Sequence, residues 1–275
     1  MNEEALHHQL EALRTQSGST AIAVHVYDYE TERTFSHEGD RWFHAASTVK
    51  VPILLALFHA TNLERVHLED RLHVRNRFRS IVDHSIFRVV RDRDADAGVH
   101  RRVGRSMKLI ELAEPMITRS SNLAANLLLE YLTPQFIQSM LADTRIEGVQ
   151  VVRGVEDSVA FDRGLNNTIT ARGLVQLFRL LRDDHFFPEP TRRQMLAILF
   201  AQEFNSMIPS LLPDSTQVAH KTGEISTCTH DAGLVLLPGR RPYAVAILTE
   251  HPPGIDDPQK TVAKASRLLY EFINA

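Results

Sequence analysis

The sequence has almost no cysteine, no apolar run long enough for a membrane span and no strong excess of charge. Cys228 is the only cysteine among 275 residues, which excludes an internal disulfide and a cysteine-based metal cage. The longest apolar run, residues 51–58, is too short to cross a bilayer. A formal net charge of −3 gives no reason to expect a nucleic acid or an anionic membrane as a partner. The composition therefore indicates an ordinary soluble globular protein.

Signals for a metal, a cofactor and an export leader are also missing. The densest group of possible metal ligands, residues 67–73, has neither His-Glu-x-x-His spacing nor a His-x-His pair. We therefore expect no metal and no cofactor. Residues 1–4 lack the basic start and apolar run of a signal peptide. A cytoplasmic protein is expected, or a periplasmic or secreted one if a leader has been removed. The oligomeric state stays open.

The stretch over residues 44–58 is the most informative part of the chain. After Lys50 nearly every residue is apolar, which predicts a helix that is buried on all sides. Ser47 and Lys50 are three residues apart and so share one face of that helix. A helix N-terminus favours developing negative charge, which suits a serine nucleophile with a lysine base. The alternative is that Ser47 caps the helix and Lys50 is solvated.

Periodicity predicts an α+β fold of the α/β sandwich type. Helical spacing is found over residues 5–14, 109–117, 122–131, 134–141, 171–181 and 261–273, and alternation typical of strands over 20–27, 33–35, 217–221, 232–237 and 243–248. We predict an antiparallel sheet with terminal helices from residues 1–45 and 210–275. Residues 46–209 are predicted to form an all-helical lobe, with the active site between the two lobes.

One irregular segment, residues 63–108, is rich in arginine. Ten arginines lie between residues 71 and 105. An RNA-binding face would also need aromatic stacking residues or a glycine-rich loop, which this segment lacks. We interpret it as a solvated insertion held by ion pairs.

Two further motifs follow the Ser47-x-x-Lys50 pair along the chain. They are Ser120-Ser121-Asn122 before a predicted helix and Lys221-Thr222-Gly223 at the end of a predicted strand. In this order the three motifs resemble the signature of class A β-lactamases and penicillin-binding proteins. The resemblance covers nearly the whole chain, is detailed over residues 116–128, and is greatest to the branch called β-lactamase-related serine hydrolases.

The resemblance implies a catalytic role for three of these side chains. Ser47 attacks a carbonyl, and Lys50 accepts its proton if burial or a neighbouring cation lowers the pKa of the amine. Ser120 relays a proton to the leaving nitrogen, because a hydroxyl both donates and accepts. Taken alone, Ser120 has a simpler interpretation as a helix cap.

The other motif residues are implied to bind the substrate. Asn122 holds the substrate amide, while Lys221 and Thr222 attract a substrate carboxylate. Gly223 lets the substrate approach the strand closely. The backbone N–H of Glu224 would share the oxyanion with that of the nucleophile. Singly, Asn122 is also explained as a turn residue and Lys221 as a charge at a strand end.

Three departures from the family pattern are visible. Ser121 stands where an aspartate is usual. Glu156 is the best candidate for the base that activates the deacylating water, but the residue four positions on is Ala160 instead of asparagine. A surface carboxylate in a salt bridge is the alternative for Glu156. His230 occupies the place of an arginine that binds the substrate carboxylate, and its side chain faces the site only if the strand alternation allows it.

These observations predict a serine hydrolase that forms an acyl-enzyme with a small-molecule substrate, most simply a β-lactamase. An alternative is a penicillin-binding protein, peptidase or esterase that releases β-lactams slowly. A further alternative is a non-catalytic binding protein on the same fold.

Overall fold

The computed structural model describes residues 2–183 and 186–275, which form helices and strands in alternating groups. The α-helices are α1 Glu3–Ser17, α2 Lys50–Asn62, α3 Ala97–His100, α4 Leu109–Thr118, α5 Asn122–Leu132, α6 Pro134–Asp143, α7 Ser158–Asp162, α8 Ala171–Arg179, α9 Glu189–Phe200 and α10 Pro258–Ile273. The strands are β1 Ala21–Asp28, β2 Arg33–His37, β3 Phe43–His44, β4 Arg71–His73, β5 Phe78–Arg79, β6 Ile86–Phe87, β7 Ser106–Lys108, β8 Val149–Gln150, β9 Thr168–Ile169, β10 Gln217–Ile225, β11 Cys228–Leu236 and β12 Tyr243–Glu250. Short 3-10 helices cover Ala46–Val49, Arg91–Arg93 and Ile208–Leu211.

The main sheet combines strands from both ends of the chain. Its order is β10-β11-β12-β1-β2, and every neighbouring pair is antiparallel. The predicted α+β fold with an antiparallel sheet is confirmed. Strand β10 lies at one edge, so one side of its backbone has no strand partner in the described structure and faces the middle of the chain.

Two hydrophobic cores cover the two faces of this sheet. The outer core packs α1 and α10 against side chains such as Ile22 and Val24 of β1. The inner core packs the middle helices against the alternate residues, such as Ala21 and Ala23. Successive strand residues face opposite sides of the sheet. In β1 the small alanines therefore face the inner core and the branched residues face the outer core, and these side-chain sizes set the distance from the sheet to each helical layer. The sheet is thus fixed between two helical layers.

The helix α2 lies inside the inner core, as its composition predicts. Residues Val51, Ile53 and Leu54 are completely buried, and burial on all sides is typical of a helix with no polar face. One detail of the prediction is wrong. Residues Ala46–Val49 form a 3-10 turn before the α-helix begins at Lys50, so Ser47 lies in that turn and does not cap α2.

The middle of the chain is less uniform than an all-helical lobe. It also contains the short pairs β4–β7 and β5–β6, and β8 and β9 join β3 in a small sheet. Helix α9 was not predicted, because only three of its residues, Met195, Ile198 and Leu199, are buried and its apolar period is weak. Among the described residues, no helix combines the length and apolar character needed to cross a membrane.

Candidate active site

The site forms where the 3-10 turn carrying Ser47 meets the edge strand β10. Gly223 lies against this turn: a Cβ atom at that position would be 3.0 Å from the backbone nitrogen of Ser47 and 2.9 Å from that of Thr48. Any larger side chain would push the strand and the turn apart. Gly223 therefore lets the strand lie directly against the backbone of Thr48 and Ser47. The approach of a substrate at Gly223 stays a prediction.

The amine of Lys50 lies at the centre of the three motifs. Its Nζ atom is 3.0 Å from Ser47 Oγ, 3.0 Å from Ser120 Oγ, 2.6 Å from the Ser120 carbonyl oxygen and 2.7 Å from Asn122 Oδ1. A lysine ammonium has three N–H donors and no acceptor. Four oxygen neighbours exceed these three donors, so an ammonium cannot give each oxygen a separate N–H. The alternative of a solvated lysine is wrong.

Burial controls the protonation of both lysines in the site. Lys50 and Lys221 are completely buried. Burial, followed by the positive charge of Lys221, holds the pKa of Lys50 well below its usual value, while Asp94 and Glu156 oppose this effect. Burial lowers the pKa of Lys221 to about 7, and Asp231 opposes it. The surroundings of Lys50 therefore shift its protonation equilibrium toward the neutral amine.

Ser120 is held between the two lysines. Its Oγ atom accepts from Lys221 Nζ at 3.1 Å and lies 3.0 Å from Lys50 Nζ. The backbone of Ser120 has a φ of 56°, a conformation that costs about 1–3 kcal/mol for a residue with a side chain. The lysine contacts offset that cost. Ser120 is not the helix cap of the alternative interpretation, because Ser121 caps α5.

Glu156 lies in the cleft and contacts the second motif. Its Oε1 atom accepts from Asn122 Nδ2 at 3.0 Å, and its Oε2 atom accepts from the backbone N–H of Val90 at 2.9 Å. In the described residues it has no salt-bridge partner, so the interpretation as an ion-paired surface carboxylate is wrong. Asn122 therefore bridges the Glu156 carboxylate and the Lys50 amine.

Two asparagines hold the loop that carries Glu156. Asn126 of α5 donates to the Val155 carbonyl at 2.8 Å and accepts from the Val155 N–H at 2.7 Å. Asn167 accepts from the N–H of Arg153 at 3.0 Å and donates to its carbonyl at 3.0 Å. Local spacing does not predict these contacts, because each asparagine pairs with a backbone segment that is distant in the chain. The loop is fixed on both sides of Glu156.

His230 is not part of the cleft surface, which corrects the prediction that it binds substrate. It is directly opposite Gly223 in the sheet, and directly opposite residues share a face. Its side chain is completely buried beneath the strand, with Nε2 2.9 Å from the His44 carbonyl oxygen. Burial lowers the pKa of His230 to about 4, so the imidazole is neutral at neutral pH. It cannot supply the charge of the missing arginine.

The cleft consists of two cavities that meet at Ser47. We call the larger one, of about 450 Å³, the Phe161 half and the smaller one, of about 360 Å³, the Ser120 half. Thr222 lines the Ser120 half. Lys221 lies behind Ser120 and contacts the cleft only through the Ser120 hydroxyl. Glu224 lines both halves, and its carboxylate accepts from Gln259 Nε2 at 2.8 Å.

The arginine-rich segment forms one wall of this cleft, contrary to its interpretation as a mere solvated insertion. Asp94 of this segment is the key residue. Its carboxylate accepts from the backbone N–H of Asn122 at 2.9 Å and from that of Leu123 at 3.0 Å. It also lies 3.0 Å from His100 Nε2 and 3.4 Å from Ser121 Oγ. A helix N-terminus leaves such N–H groups without partners, so Asp94 supplies from another segment the negative charge that Ser121 lacks.

Comparisons with known proteins agree with this geometry. A family model described as the beta-lactamase enzyme family matches residues 5–273. A β-lactamase of Bacteroides uniformis is 26% identical over 179 residues, a match that spans 60% of this chain and 60% of that protein. A β-lactamase of Streptomyces fradiae is 27% identical, with 91% of this chain and 80% of that protein covered. A solved class A β-lactamase from Mycobacterium abscessus has the same fold, with a TM-score of 0.86, 24% identity and coverage of 98% and 100%.

The fold and the serine–lysine site define the class as serine β-lactamase-like hydrolases. The chain belongs to the beta-lactamase enzyme family. The family resemblance stated from the three motifs is confirmed.

The contacts of Asp94 lead to a first prediction. Asp94→Ala removes the acceptor from the half-buried N–H group of Asn122 and the buried N–H group of Leu123, which costs about 1–3 kcal/mol of unfolding free energy. Denaturant unfolding measures this loss. Adding Ser121→Asp to Asp94→Ala should recover part of it, because an aspartate at the helix cap accepts from the same turn.

The matched control is Asp92→Ala, which removes an exposed carboxylate from the same segment. We expect little change in that variant. Equal losses in the Asp92 and Asp94 variants, or no recovery with Ser121→Asp, would contradict the role given to Asp94.

Proposed function

We propose that Ser47 is acylated by the carbonyl of a β-lactam ring and that the ester is then hydrolysed. The observation that carries this proposal is the 3.0 Å contact between Ser47 Oγ and the buried Lys50 amine. A neutral amine at that distance is placed to take the hydroxyl proton as the serine attacks. The family membership supports the same reaction, and the serines and lysines of all three motifs are present.

The path of the proton after the attack is supported by the Lys50–Ser120 contact. Protonated Lys50 lies 3.0 Å from Ser120 Oγ, so it can pass a proton to this hydroxyl while Ser120 gives its own proton to the leaving nitrogen. Lys221, 3.1 Å from the same oxygen, supplies a second positive charge that orients Ser120. The leaving nitrogen therefore faces the Ser120 half of the cleft.

The oxyanion of the tetrahedral intermediate needs two N–H donors. We assign them to the backbones of Ser47 and Glu224, on the two segments that Gly223 allows to meet. Each such donor contributes about 10²–10³ in rate. Thr222, in the wall of the Ser120 half, is assigned to the substrate carboxylate, and Asn122 to the substrate amide.

Hydrolysis of the ester needs a base for the attacking water, and we assign it to Glu156. Its carboxylate is hydrogen-bonded to Asn122 and lies in the same cavity as Ser47. The asparagine that the family usually places four residues later is Ala160 here. The contacts of Asn126 with Val155 support the loop instead, so the carboxylate is held although one water-binding group is missing.

The second prediction tests the nucleophile. Ser47→Ala should abolish the covalent adduct that benzylpenicillin forms with the parent protein, because loss of the nucleophile lowers the turnover rate about 10⁶-fold. Intact-mass spectrometry measures the adduct. The control is Ser158→Ala, which alters another serine of the cleft wall and should leave the adduct in place. An adduct that persists in Ser47→Ala would contradict the assignment.

The third prediction separates acylation from deacylation. Glu156→Gln keeps the size of the side chain but removes the base, so the Ser47 ester should accumulate and its hydrolysis slow by about 10²–10⁴. Single-turnover mass spectrometry follows both steps. Asp162→Asn, a change of an exposed carboxylate at the end of α7, serves as the control and should not trap the ester. Release by Glu156→Gln at the parent rate would mean that the glutamate is structural.

The fourth prediction concerns pH. The pKa of Lys221 is lowered to about 7 by burial, so its positive charge is present below that pH and is lost above it. The kcat/KM for benzylpenicillin, which reports groups of the free enzyme, should therefore fall as pH rises through about 7.

The methyl ester of benzylpenicillin is the matched substrate for this test. Without its carboxylate it should show a weaker fall of kcat/KM over the same pH range. In Lys221→Arg the charge persists at all accessible pH values, so the fall should disappear. Identical profiles for the acid and the ester would show that Lys221 does not attract the substrate carboxylate.

A further inference from the structure

The Phe161 half of the cleft has a composition that the reaction itself does not explain. Because the leaving nitrogen faces Ser120, the acyl part of the substrate extends into the opposite half. Its lining includes the aromatic rings of Phe87 and Phe161 and two exposed arginines, Arg88 and Arg93. Arg93 lines the Ser120 half as well. Two arginines therefore flank the space that an acyl side chain enters.

Among the described residues neither of these two arginines has a side-chain partner, in contrast to Arg75 and Arg153. Across residues 2–183 and 186–275, neither guanidinium group makes a hydrogen bond or an ion pair. Arg75 of the same segment pairs with Glu130. Arg153, in the same wall, is tied to Asn166 Oδ1 at 2.7 Å and to two backbone carbonyls. Arg88 and Arg93 thus keep their planar donors available for a ligand.

The carboxylates in this half are already engaged by the protein. Both oxygens of Glu156 accept hydrogen bonds. Asp157 is buried and accepts from the backbone N–H of Ile81 and of Ala160, and Glu224 accepts from Gln259. Their negative charges oppose an anionic ligand, but their oxygens have partners. In the described structure, Arg88 and Arg93 are therefore the cationic donors of this half that remain open to a ligand.

We propose that Arg88 and Arg93 form an anion-binding subsite for the acyl side chain, so that the preferred substrates carry a carboxylate there. The proposal rests on the acyl-enzyme function proposed above. A guanidinium group binds a carboxylate through two parallel N–H donors, which gives direction as well as attraction. The neighbouring rings of Phe87 and Phe161 would contact an apolar part of the same side chain.

The test compares two penicillins that differ only in this group. Carbenicillin carries a carboxylate on the benzyl side chain, and benzylpenicillin does not. The measured quantity is the ratio of their acylation rate constants, obtained by intact-mass spectrometry at low salt. In Arg88→Gln and in Arg93→Gln we expect the ratio to fall by about fivefold, the size of an exposed ion pair. Added salt should lower the ratio in the parent protein.

Arg91→Gln is the matched control. Arg91 is exposed and belongs to the same 3-10 turn as Arg93, but it lines neither half of the cleft. We expect its ratio to equal that of the parent. An unchanged ratio in both Arg88→Gln and Arg93→Gln would overturn the subsite, and so would an equal fall in Arg91→Gln, which would indicate a general charge effect. If neither penicillin acylates the parent protein, the proposed function fails instead.

Discussion

The burial of one amine, that of Lys50, is the constraint on which the rest of the site depends. Water around this lysine would restore its usual pKa and end its capacity to accept a proton. The inner core excludes that water by enclosing α2 on all sides. Four oxygen contacts then hold the amine between Ser47, Ser120 and Asn122. The apolar helix thus lowers the pKa of its first residue by burying it.

The arginine-rich segment shows how a family pattern can be kept by different residues. The usual aspartate of the second motif is Ser121 here, yet a carboxylate still meets the start of α5, supplied by Asp94. The same segment binds Glu156 through the N–H of Val90 and places Arg93 in the cleft wall. It links the helix of the second motif, the proposed base and the substrate cavity. Its irregular sequence reflects contacts with three neighbours instead of a single periodic face.

Strand β10, which carries the third motif, lies at the edge of the main sheet. A central strand would have both sides of its backbone paired, whereas β10 pairs only with β11 in the described sheet. Because Gly223 has no side chain, the face of β10 lies against the Ser47 turn at this position. The opposite residue on β11, His230, is forced under the strand by the same geometry. Gly223 and His230 are paired in the sheet and share one face. Gly223 leaves room on that face for the Ser47 turn, whereas the His230 side chain is completely buried.

The sequence by itself determined the antiparallel sheet, the buried central helix and the three motifs, because periodicity and local spacing are properties of neighbouring residues. The same spacing singled out Ser47, Lys50 and Ser120 as candidates, and the structure brings their side chains together around the Lys50 amine. Only the tertiary structure decided what Asp94, Glu156 and His230 contact, since each meets residues that are far away in the chain. A carboxylate's partner and a strand residue's face depend on how segments pack, and local spacing carries no record of that packing.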